Sequence, residues 1–143
     1  MEAMDHPHEA IRTVHVAGTN GKGSVSSMLA AIATAAGLRT GLHTSPHLTH
    51  VGQRMRVNGT PASADWLAGA LDRYRDLFDR VEPSFFEATV ALSFLYFAEK
   101  QVDLAVVEVG LGGRLDATNV LHPDLAVITN IDLDHTDLLG DTL

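Results

Sequence analysis

The chain has 143 residues, 45% apolar and 20% charged, a composition that fits one globular domain large enough to bury a hydrophobic core. Its net charge of −8 and isoelectric point near 5.3 argue against a nucleic-acid partner, which demands a basic face, but leave room for one lysine and a cation to serve a nucleotide. Cysteine is absent, which excludes a disulfide framework and a thiolate metal site and fits a cytoplasmic enzyme.

Residues 1–12 are mixed polar and lack the apolar segment of a signal peptide. Residues 13–17 (TVHVA) are short and β-branched and read as a buried strand. Gly18-Thr19-Asn20-Gly21-Lys22-Gly23-Ser24 follows, and then an alanine-rich helix from Ser24 to Ala36, with Met28, Leu29 and Ile32 on adjoining positions and Gly37 as its stop. Arg39 to His43 reads as a second strand. Thr44 to Thr60 loses periodicity and is long for a passive connection, with a strand at Arg54 to Val57 and a turn at Asn58-Gly59.

Ser63 is the expected N-cap of a helix from Ala64 to about Arg80, with Leu67, Leu71, Tyr74 and Phe78 at helical spacing. Ser84 to Lys100 is apolar nearly all round, which predicts a buried helix; its apolar run is about half of what spans a bilayer. Asp103 to Val109 and Asp124 to Thr129 are two further buried-strand patterns. Helices alternate with buried strands, so the expected fold is α/β with a mainly parallel sheet flanked by helices.

Ligands of open parallel sheets bind outside the carboxyl ends of the strands. The first strand delivers the glycine loop there. The second delivers Thr44-Ser45-Pro46-His47, the third Glu108 and Gly110 to Asp116, and the fourth Thr129 to His135. The loop's glycines permit a tight turn with successive N–H groups exposed, Lys22 adds charge, and the following helix aims its positive end at the loop. These are the parts of a phosphate cradle. The general P-loop pattern is nevertheless broken, because Val16 stands where its first glycine belongs and Gly23 where its Ser or Thr belongs.

One lysine leaves most of a triphosphate's charge unmatched, so a divalent cation such as Mg²⁺ is expected, with Ser45, Glu108 and His135 as candidate ligands. Each also has a local reading: Ser45 as a turn residue, Glu108 as a strand-end ion-pair partner, His135 as a surface or capping histidine. No ligand spacing along the chain joins the remaining histidines.

HVAGTNGKGSV (15–25), TSPHL (44–48), FFEATVALSFLYFAE (85–99), VEVGLGGRLDATNV (107–120) and ITNIDLDHTDLLGDT (128–142) resemble, in order, the signatures of one family. It is the folylpolyglutamate synthase/dihydrofolate synthase branch of the Mur-ligase superfamily. The resemblance implies a P-loop NTPase-like central domain and an ATP-dependent ligase. Such an enzyme phosphorylates a carboxylate of dihydropteroate or a folate, and L-glutamate's amine then displaces the phosphate. It implies ATP contacts along Gly18, Thr19, Asn20, Gly21, Lys22, Gly23 and Ser24, and Mg²⁺ at Ser45, Glu108 and His135. Lys22, Glu108 and His135 are thereby the expected catalytic residues, and Ser84, Phe86, Arg114 and Asp116 line the pterin side.

Phe86 reads equally well as a core residue. The implied partners are small molecules, with neither nucleic acid nor membrane, and the full-length protein is implied to be a monomer. Residues 1–143 correspond to the first part of the central domain, without the family's C-terminal glutamate-binding domain, so the isolated chain is expected to be inactive. Another P-loop hydrolase or kinase, or a nucleotide- or folate-binding remnant without turnover, are the competing readings.

Overall fold

A computed structural model describes residues 1–140 and 142; Asp141, within the 128–142 stretch, and Leu143 lie outside the described residues. Six strands form one sheet: β1 (Thr13–Ala17), β2 (Thr40–His43), β3 (Met55–Val57), β4 (Thr60–Pro61), β5 (Leu104–Glu108) and β6 (Leu125–Ile128). Their order is β4-β3-β2-β5-β1-β6. β1 lies parallel between β5 and β6, β2 lies parallel to β5, and β3 and β4 extend the sheet in antiparallel fashion. The carboxyl ends of the four parallel strands therefore share one edge, and the segments singled out after each strand meet there.

β1 and β5 are buried on both faces because both are covered, whereas β6, expected as a buried strand, lies at the sheet edge with Leu125 and Ile128 exposed. Val14 and Val16 of β1 pack with Leu42 and Val106 against α1 (Lys22–Ala35), which contributes Ala30. Ala105 and Val107 face the other way, into the larger core built by α4 (Phe85–Glu99) with Phe94 and Phe97 fully buried. α4 opens with the cap its sequence encodes: the Glu87 N–H donates to Ser84 Oγ at 3.2 Å and the Ser84 N–H to Glu87 Oε2 at 2.8 Å. Among the described residues, no helix is long and apolar enough to cross a membrane.

Several expectations are corrected. α1 begins at Lys22 rather than Ser24, because Gly21, at φ 81°, is the cap and puts the lysine in the first turn. Its buried face is Ser26, Ala30 and Ala33, while Met28 and Ile32 are exposed. The helix expected over 64–80 is two helices, α2 (Ala64–Arg73) and α3 (Arg75–Val81), broken where Tyr74 opens to ψ 14°. Hydrogen bonds nevertheless bridge the break, from the Tyr74 N–H to the Ala70 carbonyl and from the Phe78 N–H to the Tyr74 carbonyl. A short 3-10 helix, Val51–Arg54, precedes β3 and takes up part of the strand expected there. A last short helix, α5 (Thr136–Leu139), follows His135.

Candidate nucleotide-binding site

The glycine loop is tied to the segment that follows β6. Gly18 has φ 132°, and a Cβ there would stand 2.1 Å from Thr129 Oγ1, so glycine serves both the turn and the close approach. The Thr19 N–H donates to the Asn130 carbonyl at 2.9 Å, and the Asn20 N–H to Asn130 Oδ1 at 2.8 Å. The Thr129 hydroxyl donates to the Asn20 carbonyl at 2.6 Å. Thr19 Oγ1 donates to the Asp132 carbonyl at 3.0 Å and accepts from the Asp132 N–H at 2.9 Å.

These bonds narrow the expected cradle. The amides of Thr19 and Asn20 are engaged within the protein. Among the described residues, the N–H groups of Gly21, Lys22, Gly23 and Ser24 have no protein acceptor, and Val25 is the first to bond back, to the Gly21 carbonyl. Consecutive unpaired amides at the start of a helix 14 residues long present a converging set of donors reinforced by the helix dipole. Lys22 reaches back over the loop: its Nζ donates to the carbonyls of Gly18 at 2.9 Å and Thr19 at 3.0 Å. An ammonium has three protons, so one remains for an anion.

Glu108 ends β5 with its carboxylate beside this helix start. The residue is buried and its Oε2 accepts the Ser45 N–H at 3.1 Å, which joins the ends of β5 and β2. Burial pushes the carboxyl above its ordinary range, while the Ser45 N–H and the charge of Lys22 pull it down. A buried carboxylate with spare lone pairs and an adjacent serine is an oxygen-donor set, and such a set fits Mg²⁺.

His135 reaches the same edge by another route. It adopts φ 48°, its N–H donates to Asp134 Oδ1 at 2.8 Å, and its ring is exposed with Nε2 3.7 Å from Asp134 Oδ2. Together with Gly18, Lys22, Gly110, Asn130 and Asp132 it lines a cleft of about 260 Å³. Among the described residues no hydrogen bond or ion pair joins it to Glu108 or Ser45.

The residues expected on the pterin side have local roles as well. Ser84 caps α4. Phe86 is half-buried against the larger core and covers Gly110, where a Cβ would stand 2.3 Å from its ring. Asp116 organises the 110–120 loop: Oδ2 accepts the Leu111 N–H at 2.8 Å, and Oδ1 accepts both the N–H and the hydroxyl of Thr118. The side chain of Arg114 is exposed, and its carbonyl accepts from Asn119 Nδ2 at 2.9 Å.

Three neighbours went unmarked in the sequence. His15 Nε2 lies 2.8 Å from the Thr118 hydroxyl, which extends the Asp116 network into β1. His43 is fully buried, with Nδ1 2.8 Å from Ser93 Oγ and Nε2 unpartnered. Phe85, beside Phe86, is the exposed ring, with the Arg54 guanidinium 5.1 Å above it. A polar residue inside an otherwise apolar strand is the only sign of the two histidines, and it does not reveal their partners.

Free amides at a helix start, a lysine, a buried carboxylate and a cleft thus meet at the carboxyl edge of the parallel sheet of an α/β domain, an arrangement suited to phosphate. Within that class the chain belongs to the Mur ligase family: residues 16–142 match the Mur ligase middle domain. It is 43% identical over 150 residues to the dihydrofolate synthase/folylpolyglutamate synthase of Bacillus subtilis (strain 168), a match covering 100% of this chain and 35% of that protein. The crystal structure of folylpolyglutamate synthase from Thermotoga maritima matches with a TM-score of 0.89 at 42% identity, covering 92% of this chain and 33% of that one. E. coli FolC in complex with ADP matches with a TM-score of 0.92 at 37% identity, covering 98% and 34%. The chain thus spans about a third of the length of these relatives.

Proposed function

We propose that this chain supplies the nucleotide half of an ATP-dependent ligase that adds L-glutamate to dihydropteroate or to folates. The observation that carries the reading is the run of unpaired amides at 21–24 beside Lys22 and the buried Glu108. Relatives named folylpolyglutamate or dihydrofolate synthase, and one in complex with ADP, support the same assignment.

In this reading the amides and Lys22 hold the phosphates of ATP. A carboxylate oxygen of the pteroate or folate attacks the γ-phosphorus and ADP leaves, giving an acyl phosphate. The amine of L-glutamate then attacks the acyl carbon, loses a proton and expels phosphate, leaving an amide. The protein's part is positioning and neutralisation of the charge that builds on the transferring group. Ser45, Glu108 and His135 would hold Mg²⁺, which would supply the positive charge that one lysine lacks. Ser84, Phe86, Arg114 and Asp116 would border the pterin, and we assign the reaction to the cytoplasm.

For the 143 residues taken alone the proposal is narrower: the first part of the central domain, binding nucleotide without turnover. The one-third coverage of the relatives favours this. The test is ADP release from ATP with dihydropteroate and L-glutamate present or withheld. No release above background is expected under any of these conditions. Release that needs neither acceptor would identify a nucleotide hydrolase and overturn the ligase reading, while release that needs both would overturn the narrower claim.

A further inference from the structure

Just ahead of β1, a turn near the N-terminus gathers a second set of ligating groups. Residues 6–9 read His-Pro-His-Glu. The short helix Glu2–Met4 ends at Asp5 and His6, both with positive φ (56° and 48°), and this reversal folds the following residues back on one another. One ligand atom from each of His6, His8 and Glu9 then lies within 4.8 Å of the other two. His6 Nδ1 and Glu9 Oε1 are paired at 3.2 Å, and the two imidazoles lie 5.8 Å apart between centroids.

His8 supplies the independent observation. Its Nδ1 is buried and has no hydrogen-bond partner, a costly state unless something takes up the nitrogen. The ring cannot easily leave, because it packs 6.1 Å from the ring of Phe94 in α4, and Met4 and Ile11 on either side belong to the larger core. The imidazole is therefore held in place beside the exposed side chains of His6 and Glu9.

We propose that His6, His8 and Glu9 bind a divalent transition-metal ion of the Zn²⁺ type, with a remaining position open to water. Two imidazole nitrogens and a carboxylate are a recurrent zinc donor set, and Mg²⁺, which wants oxygen ligands, is a poor match. Tetrahedral coordination at about 2.1 Å puts ligand atoms about 3.4 Å apart, so closure from within 4.8 Å asks only for rotation of His6 and Glu9. None of the three residues lines the phosphate cleft. The bound ion clamps the first nine residues onto α4 through the His8–Phe94 contact, and its effect is on stability, because it binds the folded turn and not the unfolded chain.

The test is calorimetric titration of the chain with zinc sulfate, free of nucleotide and Mg²⁺, together with thermal melts. Wild type is expected to bind a single equivalent of Zn²⁺ and to melt at a higher temperature when loaded. The double variant His6→Asn/Glu9→Gln changes only exposed positions. It should keep the metal-free melting temperature, bind Zn²⁺ at least about tenfold more weakly, and lose the rise in melting temperature. His135→Asn is expected to bind Zn²⁺ as wild type does, and the imidazole nitrogens of His6 and His8 should shift in ¹H–¹⁵N spectra on loading. Zn²⁺ binding unchanged in the double variant, lost in His135→Asn, or absent from wild type would each overturn the proposal.

Discussion

The carboxylate of Glu108 lies directly over the α-carbon of Gly23: a Cβ at that position would stand 3.4 Å from Oε2 and 3.5 Å from Oε1. This contact bears on one of the two departures from the general P-loop pattern, the glycine after Lys22. Where that pattern puts a hydroxyl next to the lysine, this chain puts a buried carboxylate from the neighbouring strand, and only a very small residue fits beneath it. Gly23→Val is therefore expected to push Glu108 away from the helix start. Its affinity for Mg·ATP should fall by about tenfold or more, as measured by calorimetry, whereas Gly23→Ala should fall far less. Equal losses in the two would show that the carboxylate does not set the limit.

Glu108 itself is held at a cost to the fold. Burial raises its folded pKa above the unfolded value, so the native state keeps a proton that the unfolded chain releases, and stability declines as pH rises through that range. Glu108→Gln removes the buried charge while keeping an acceptor for the Ser45 N–H. Denaturant melts at neutral pH should show it more stable by about 0.5–2 kcal/mol, and its nucleotide affinity should no longer respond to Mg²⁺. A less stable variant would mean that the charge is already well compensated without a cation.

His43 gives the opposite pH dependence. Its pKa is lowered from 6.5 to about 4, chiefly by burial, with the charge of Arg54 acting in the same direction and that of Asp116 opposing. Between those values the unfolded chain binds a proton that the native state refuses. Stability is thus full above pH 6.5 and is lost as pH falls toward 4, by about 3 kcal/mol at 1.36 kcal/mol per pH unit. His43→Asn should flatten that part of the stability–pH curve even if it lowers the curve as a whole. An unchanged slope would assign the acid sensitivity elsewhere.

Ser84 separates a structural from a binding role. Ser84→Ala removes the hydroxyl that accepts the Glu87 N–H, one of the two bonds of the capping box at α4, and should cost about 1 kcal/mol. Ser84→Asp, an equally good cap, should restore the melting temperature. If folate binding, assayed on the same variants, is lost with aspartate as well, the hydroxyl contributes to the pterin side beyond its cap.

The parts of this site that a single sequence exposes are those written in consecutive residues. TVHVA followed by glycines, and DLAVVEV followed by GLGG, mark strand ends directly, because apolar β-branched runs stop where the backbone must turn. The parallel arrangement then brings Ser45, Glu108 and the 129–135 segment to one edge, as the alternation of helices and strands predicts. What stays hidden depends on pairing across distance. The His15–Thr118 contact spans 103 residues and the His43–Ser93 contact 50, and one sequence carries no record of such partners. Nor does it show that Asn130 occupies the amides of Thr19 and Asn20, which leaves 21–24 as the free donors. The break at Tyr74 is hidden because the apolar spacing runs on through it, as do the hydrogen bonds.

The central claim is that the helix start at Gly21 to Ser24, with Lys22, binds the phosphates of a nucleotide. Calorimetric titration of the chain with Mg·ATP tests it most directly when wild type is compared with Lys22→Ala. Saturable binding in wild type, weakened about tenfold or more in the variant with its melting temperature little changed, is the predicted result. Equal affinity in the two proteins, or no binding to wild type, would contradict it.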